Sequence, residues 1–480
     1  MAHVALLVLF VFVRFVDGDE GFYLTAAQQV SHGKLLYHDF FFPQMPLLPS
    51  VQSFVAGHGF SSFYLTRLLG IIPAILSLLL FVRIVTSLVK DRRAAMLTAG
   101  LYAFSGLILA WHAPAKTYAW TDLFLLTVFW SMVRLEATKR QFWLIISAVA
   151  LALAINFRLV MAAAIIPYGY CLWRVRKSIR VIPLLAALAG AVVVSIPTIR
   201  LFFLSPDQFY FGNLGFHLMR DPSLTFWSAM LQRLKTVTKL AINPQSWVIG
   251  AALLLTLRAR KGVSSFREYV RAYLHTPSGT AILFAVTIAL VYLIPAPIHQ
   301  QYFVQAVPFF ILASLPTFGR IASSKQVFVR WKNAFVVRVA SVAYLTVLVL
   351  YLIYYLHPLL EGLRPYAVSN VSALCRFVHE YPATGPALSE WAGVPVLSGR
   401  EWLHDLDFVG FDYPLPISDS LKRHYHLPVN DDLKQALRER RPTLYVVWNA
   451  PDIPLQAVAD SNYVIVNSFD KFVVYARKDR

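Results

Sequence analysis

Apolar positions in this chain do not alternate with polar ones; they run in long stretches that recur through about the first three-quarters of the sequence. Stretches at about 2–16, 61–89, 94–112, 118–134, 142–157, 159–173, 181–204, 246–257, 279–296, 303–317 and 335–356 predict about eleven membrane-spanning helices. Several fall short of the roughly 20 residues that cross about 30 Å of hydrocarbon at 1.5 Å per residue, so these must recruit flanking residues or be broken.

The polar connections divide into two kinds. Lys and Arg gather in alternate loops: Lys90, Arg92 and Arg93; Arg134, Lys139 and Arg140; Arg174, Arg176, Lys177 and Arg180; Arg258, Arg260, Lys261, Arg267 and Arg271; Arg320, Lys325, Arg330 and Lys332. The positive-inside rule makes these cytoplasmic and turns 17–60, 113–117, 203–245 and 297–302 outward. An odd number of spans then puts Met1 inside and the tail from about His357 outside. The first run has neither a basic leader nor a small-residue cleavage site, so it is expected to stay as a helix.

Beyond about residue 357 the pattern changes, with Asp405, Asp407, Asp412, Asp431 and Asp432 and frequent Pro and Gly. An amphipathic stretch at 371–380, strand-like runs at 443–448 and 462–466, and a hairpin closing with 472–476 predict a small α/β unit. The expected organisation is a helical membrane domain at 1–356 and a soluble extracytoplasmic α/β domain at 357–480.

Composition supports the same class. Of 480 residues, 58% are hydrophobic and 14% charged, too few charges for a soluble protein. The net charge of +19, which in a soluble chain would suggest nucleic acid, is here explained by the basic loops. Cys171 and Cys375 fall on opposite faces of this topology and cannot pair. Zinc-helix, phosphate-loop and nucleophile-elbow motifs are missing.

The densest polar cluster follows the first run: Asp17-Gly-Asp19-Glu20-Gly-Phe-Tyr23, then Ala26-Ala27, Gly33, Tyr37-His38-Asp39 and Pro43-Gln44-Met45-Pro46. Adjacent acids just outside a membrane helix can deprotonate a hydroxyl or hold a cation; alternatively they form a solvated loop that only obeys topology. Segment 22–32 can lie as an amphipathic helix in the interface. The aromatic-rich outer segment, with Phe209-Tyr-Phe-Gly, His217 and Phe226-Trp227, reads either as a membrane-anchoring belt or as a cover for substrate.

Asp19-Glu20-Gly-Phe-Tyr with the helix, Gly33, Tyr37, Asp39 and proline return resembles the first external loop of polytopic GT-C glycosyltransferases, most closely the protein O-mannosyltransferase and aminoarabinose-transferase group. The many-helix layout with an external tail and a His299-x-x-Tyr302…Pro308 pattern extend the resemblance. It implies transfer of a sugar, with inversion, from a polyprenyl-phosphate donor to a glycan, lipid or protein acceptor on the outer face of the membrane. It also implies that Asp19 is the general base, with Glu20 orienting the loop or the acceptor. Glu20 equally suits a helix-start carboxylate favoured by the dipole. Asp39 is either a second acceptor contact or a turn former. The sequence departs from the aminoarabinose-transferase pattern at Pro43-Gln44-Met45-Pro46, where an acid and a lysine are missing, which argues against lipid A modification.

A lipid-phosphate donor needs cations near the outer interface, and Lys116, Arg158, Arg67 and His299 are placed to supply them, with Tyr302 beside His299. Each basic residue also has a snorkelling or helix-cap reading, and His299 and Tyr302 one as interfacial residues. No metal and no cofactor is expected, and no nucleic acid. The compact loops suit a bacterial cytoplasmic membrane. The competing reading is a transporter or flippase of a lipid-linked sugar, which would use basic residues around the same lipid; no paired half-length segments or intramembrane acid run support it.

Overall fold

The computed structural model describes residues 2–220, 225–258, 265–295, 297–323, 366–403, 415–448 and 453–478, with Leu406 and isolated positions between 339 and 350. Helices occupy each apolar stretch up to residue 317. Ser61–Leu88, Val181–Leu204 and Gln300–Arg320 are long and apolar enough to cross a bilayer singly. Three further candidates are bent pairs: Arg92–Ala103 with Gly106–His112 at 50°, Phe226–Ile242 with Pro244–Leu257 at 82°, and Arg267–Leu274 with Pro277–Val291 at 93°. Length and composition thus mark up to six spans among the described residues, against the eleven expected. The difference lies in short helices such as Ala2–Val13 and Phe142–Phe157, and in the stretch 159–173, which opens as a 3-10 turn over Leu159–Ala164 before Ile165–Val175. The expected span 335–356 lies largely outside the described residues.

Two of the sharp bends have a local cause. Pro244 and Pro277 each begin the second helix of their pair, and a proline keeps the residue before it out of the α region, so the chain must turn there. Thr276 also caps its helix, accepting from Gly279 N at 3.0 Å.

Tyr118–Thr138 runs through the middle of the bundle and packs on Phe142–Phe157, which packs in turn on Val181–Leu204. Phe81 stacks on Tyr102 at 4.4 Å and Phe284 on Phe309 at 5.2 Å inside. Val181, Ile182, Leu188 and Val193 are all exposed on the outer helix. In lipid such a surface loses nothing, whereas in water it would drive aggregation.

The C-terminal residues form a four-stranded sheet in the order β1-β2-β4-β3, where β1 is Ala387–Ser389, β2 Leu444–Trp448, β3 Tyr463–Phe469 and β4 Phe472–Arg477. β1 and β2 are parallel, and β4 pairs antiparallel with both β2 and β3. The expected helix at 371–380 is Val368–Glu380, and the expected hairpin is β3–β4, turning at Asp470 with φ 55°. Val371, Leu374, Val446 and Val474 share one core with Val16, Leu24 and Phe63 of the membrane part. The expected boundary at 356/357 falls outside the described residues. Cys171 and Cys375 are both buried and free.

The joint between the two parts is tight. Helix α2 (Gly18–Ser31), which follows α1 (Ala2–Val13), lies under Trp391: the indole Nε1 donates to Gly18 O at 2.9 Å, and Thr25 Oγ1 donates to Ala392 O at 2.9 Å. A Cβ on Gly21 would sit 2.5 Å from the Trp391 ring. Gly21→Ala is therefore expected to destabilise this joint by about 1–3 kcal/mol, read as a lower melting temperature in detergent. Combining it with Trp391→Leu should recover part of the loss, and equal melting of wild type and G21A would show that the ring yields freely.

Candidate functional site

The stretch Asp17 to Glu20 forms a capping box. The Asp17 side chain accepts from Asp19 N at 3.1 Å, and Glu20 Oε2 accepts from Asp17 N at 2.9 Å, so two orphan donors of the first turn are satisfied reciprocally. This geometry sends the neighbouring acids in opposite directions. Glu20 turns inward and is fully buried, while the Asp19 side chain stays 54% exposed.

Glu20 is consumed by structure. Its carboxylate accepts from Arg67 Nε at 2.7 Å, Arg67 Nη2 at 2.6 Å and Ala115 N at 2.9 Å, in addition to Asp17 N. Arg67 spends its other donors on Val11 O, Arg14 O and Phe15 O, each at 2.9 Å, and its guanidinium lies 4.1 Å from the Phe63 ring centre. All five guanidinium N–H groups are thereby used and the side chain is fully enclosed. Together they pin the ends of α1, α2, the loop at Ala115 and the Ser61–Leu88 helix into one joint: Arg67 has no guanidinium N–H left for the donor phosphate expected of it, and Glu20 orients the loop, one of the places the sequence leaves open for it.

Asp19 meets Lys116. The ammonium lies 2.8 Å from Asp19 Oδ2 and 2.6 Å from Asp17 Oδ1, with the Trp111 ring centre 5.0 Å away, and the side chain is 3% exposed. Burial opposes the charge of Lys116, but Asp17 and then Asp19 overcome it and hold its pKa well above the ordinary lysine range. Burial likewise opposes ionisation of Asp17, yet Lys116 and Arg14 keep it below the usual carboxylate range. Lys116 is thus a fixed cation and not a snorkelling one.

Arg158 ends the Phe142–Phe157 helix in an extended conformation that turns its side chain into a ring of tyrosines. The guanidinium lies 4.8 Å from the Tyr118 ring centre, 5.3 Å from Tyr302 and 5.5 Å from Tyr292, and Nη1 donates to Thr117 Oγ1 at 3.3 Å. Tyr302 stacks on Tyr292 at 5.3 Å, and His299 meets the Tyr302 ring edge-on at 5.3 Å. Burial, reinforced by Arg220, lowers the pKa of His299, which works against the positive charge expected of it.

Asp19, Lys116, Arg158, His299 and Tyr302 therefore converge, and Asp39 stands in a turn of its own. Asp39 Oδ2 accepts from Leu35 N at 2.6 Å and Oδ1 pairs with His38 Nδ1 at 2.6 Å, the bonds of the turn former among its two expected roles. The proline return is gripped by the aromatic outer segment. His217 Nε2 bonds Pro43 O at 2.7 Å, Asn213 Nδ2 donates to the Tyr37 hydroxyl at 3.3 Å, and a Cβ on Gly212 would come within 2.3 Å of Phe42 O. Phe209 packs on Tyr37 at 4.8 Å, so these residues brace the first loop from outside.

Asp17, Tyr118 and Tyr292 complete the cluster without having been singled out as site residues. A tyrosine at the edge of an apolar stretch reads as part of an interfacial belt, and only the fold shows that two such tyrosines face one guanidinium. Among the described residues no three His, Cys, Asp or Glu side chains gather as a metal site. What the cluster offers chemically is one half-exposed carboxylate beside two cations, with aromatic rings against both cations.

No family model matches the chain, and no curated protein does. Solved structures do. The chain is similar to the crystal structure of ArnT from Cupriavidus metallidurans bound to undecaprenyl phosphate, with TM-score 0.67 and 15% identity, over 99% of this chain and 97% of that one. It is similar to the apo state of the same protein with TM-score 0.62 and 14% identity, over 99% of this chain and 96% of that one. The chain therefore shares the fold of ArnT over nearly its whole length.

Proposed function

We propose that this protein is an inverting membrane glycosyltransferase that takes a sugar from a polyprenyl-phosphate donor. The observation that carries the reading is the meeting of a half-exposed Asp19 carboxylate with the buried cation of Lys116 and the tyrosine-ringed cation of Arg158. The fold neighbour ArnT holds undecaprenyl phosphate, which supports a lipid phosphate as the anion these cations receive.

In this reading the phosphate lies against Lys116 and Arg158, and Asp19 accepts the proton of the acceptor hydroxyl as its oxygen attacks the anomeric carbon. The anomeric bond to the phosphate breaks on the opposite face, and the leaving phosphate carries away that electron pair, stabilised by the two cations. Inversion is favoured because a single carboxylate, Asp19, is half exposed, while Asp17 caps α2 and its side chain is 13% exposed. The outer face of a cell membrane is the location that the loop charges support, with acceptors among glycans, lipids and proteins.

The deciding experiment is transfer from a panel of radiolabelled polyprenyl-phosphate sugars and nucleotide sugars into membrane extract. Consumption of a lipid-linked donor is expected; consumption of nucleotide sugars alone, or movement of the lipid across vesicles without transfer, would overturn the reading. Arg158→Gln should weaken donor binding and turnover together by about tenfold or more, since it removes a charge-assisted contact to phosphate. Unchanged kinetics in that variant would return Arg158 to a helix-end role.

A further inference from the structure

Lys116 is held by two carboxylates from one helix end, and their circumstances differ. Asp17 caps α2 while it pairs with Lys116 at 2.6 Å, and its side chain is 13% exposed. Asp19 makes no capping bond with its side chain, pairs at 2.8 Å, and is 54% exposed. Displacing Asp17 would uncap the helix and strand a carboxylate away from water. Displacing Asp19 only rotates it into solvent.

Two acids sharing one ammonium leave the pair with a net negative charge, which an incoming anion must overcome. Other groups face the pair: Arg14 from beyond the end of α1, Tyr23 on α2, Tyr118 and Arg158 beside Lys116, and His299 from the outer loop before Gln300. Arg158 already brings a second cation to the mouth of the site, so an anion reaching Lys116 takes the place of the more weakly held acid.

We propose that Asp17 is the permanent counter-ion of Lys116 and Asp19 its exchangeable one, so that a lipid phosphate takes the place of Asp19 on Lys116 and thereby frees the Asp19 carboxylate to accept a proton. Asp17 is then a positioning residue acting through Lys116, and the base is released only when the donor is seated. The inference rests on the reading of this site as one for a lipid-phosphate donor. Binding order follows: donor before acceptor.

Undecaprenyl phosphate binding to the full-length protein in detergent, measured at one near-neutral pH with uncharged undecaprenol as control, tests this. Asp19→Asn should bind the phosphate about fivefold more tightly than the wild type, because nothing then competes with it for the exchangeable place on Lys116. Asp17→Asn, which keeps a good cap, should show no comparable gain, because Asp19 still has to be displaced. Lys116→Gln should bind about tenfold or more weakly. If the wild type distinguishes the phosphate from undecaprenol but Asp19→Asn binds it no more tightly, or Asp17→Asn gains as much as Asp19→Asn, the exchange is overturned while the donor reading stands. If the wild type binds both lipids equally, the donor reading falls and the exchange with it.

Discussion

Replacing Asp19 by Asn is expected to reduce the turnover of sugar transfer by a factor of about 10²–10⁴ while leaving expression and melting temperature near those of the wild type. The substitution keeps the shape of the side chain and removes its capacity to take a proton. The side chain is half exposed and its one ion pair is with Lys116, which retains Asp17, so little stability depends on it. The measurement is kcat against donor affinity: a fall in kcat with undecaprenyl phosphate still bound marks a base, whereas a parallel loss of binding would assign Asp19 to donor recognition. Full transfer by the variant would remove Asp19 from the chemistry.

The second large effect is on stability and separates two arginines that look alike in the sequence. Arg67→Met is expected to destabilise the protein by about 3–5 kcal/mol, because it leaves Glu20 charged and enclosed and strips three backbone carbonyls of their donor. Glu20→Leu alone should be comparably damaging for the converse reason. The double variant is expected to be more stable than the sum of the two losses predicts, since neither charge is then stranded. Thermal unfolding in detergent measures all three. A soluble, normally melting Arg67→Met variant with weakened donor binding would instead support the phosphate contact that the sequence suggests. Arg158→Gln is the counterpart, expected to change kinetics and leave melting nearly alone.

These contrasts show where sequence reading reaches its limit. Arg67 and Arg158 both sit near the ends of apolar helices, and both need a partner for the same electrostatic reason. What distinguishes them is the set of partners, and those of Arg67 lie 47 to 56 positions away in the chain, on α1, α2 and the segment between them. Glu20 is a similar case. Its place three residues after Asp17 makes a capping box legible, and its enclosure by Arg67 and Ala115 is not. His299 reads as a cation from its residue type, while its burial and the charge of Arg220 act against that charge.

Local properties of the chain determine a good deal: a helical membrane bundle, an α/β tail with its hairpin, and a helix over 22–32, which the structure begins four residues earlier at Gly18. Hydropathy over about 20 residues, strand alternation and capping are short-range effects, so one sequence suffices to see them. Only the tertiary structure decided that Trp391 closes over Gly21, that the tail shares its core with Val16 and Phe63, and that Tyr118, Tyr292 and Tyr302 surround one guanidinium. Whether a buried charge is spent or available depends on which distant donors and carbonyls packing brings within about 3 Å of it, and that is a property of the fold and not of the residue.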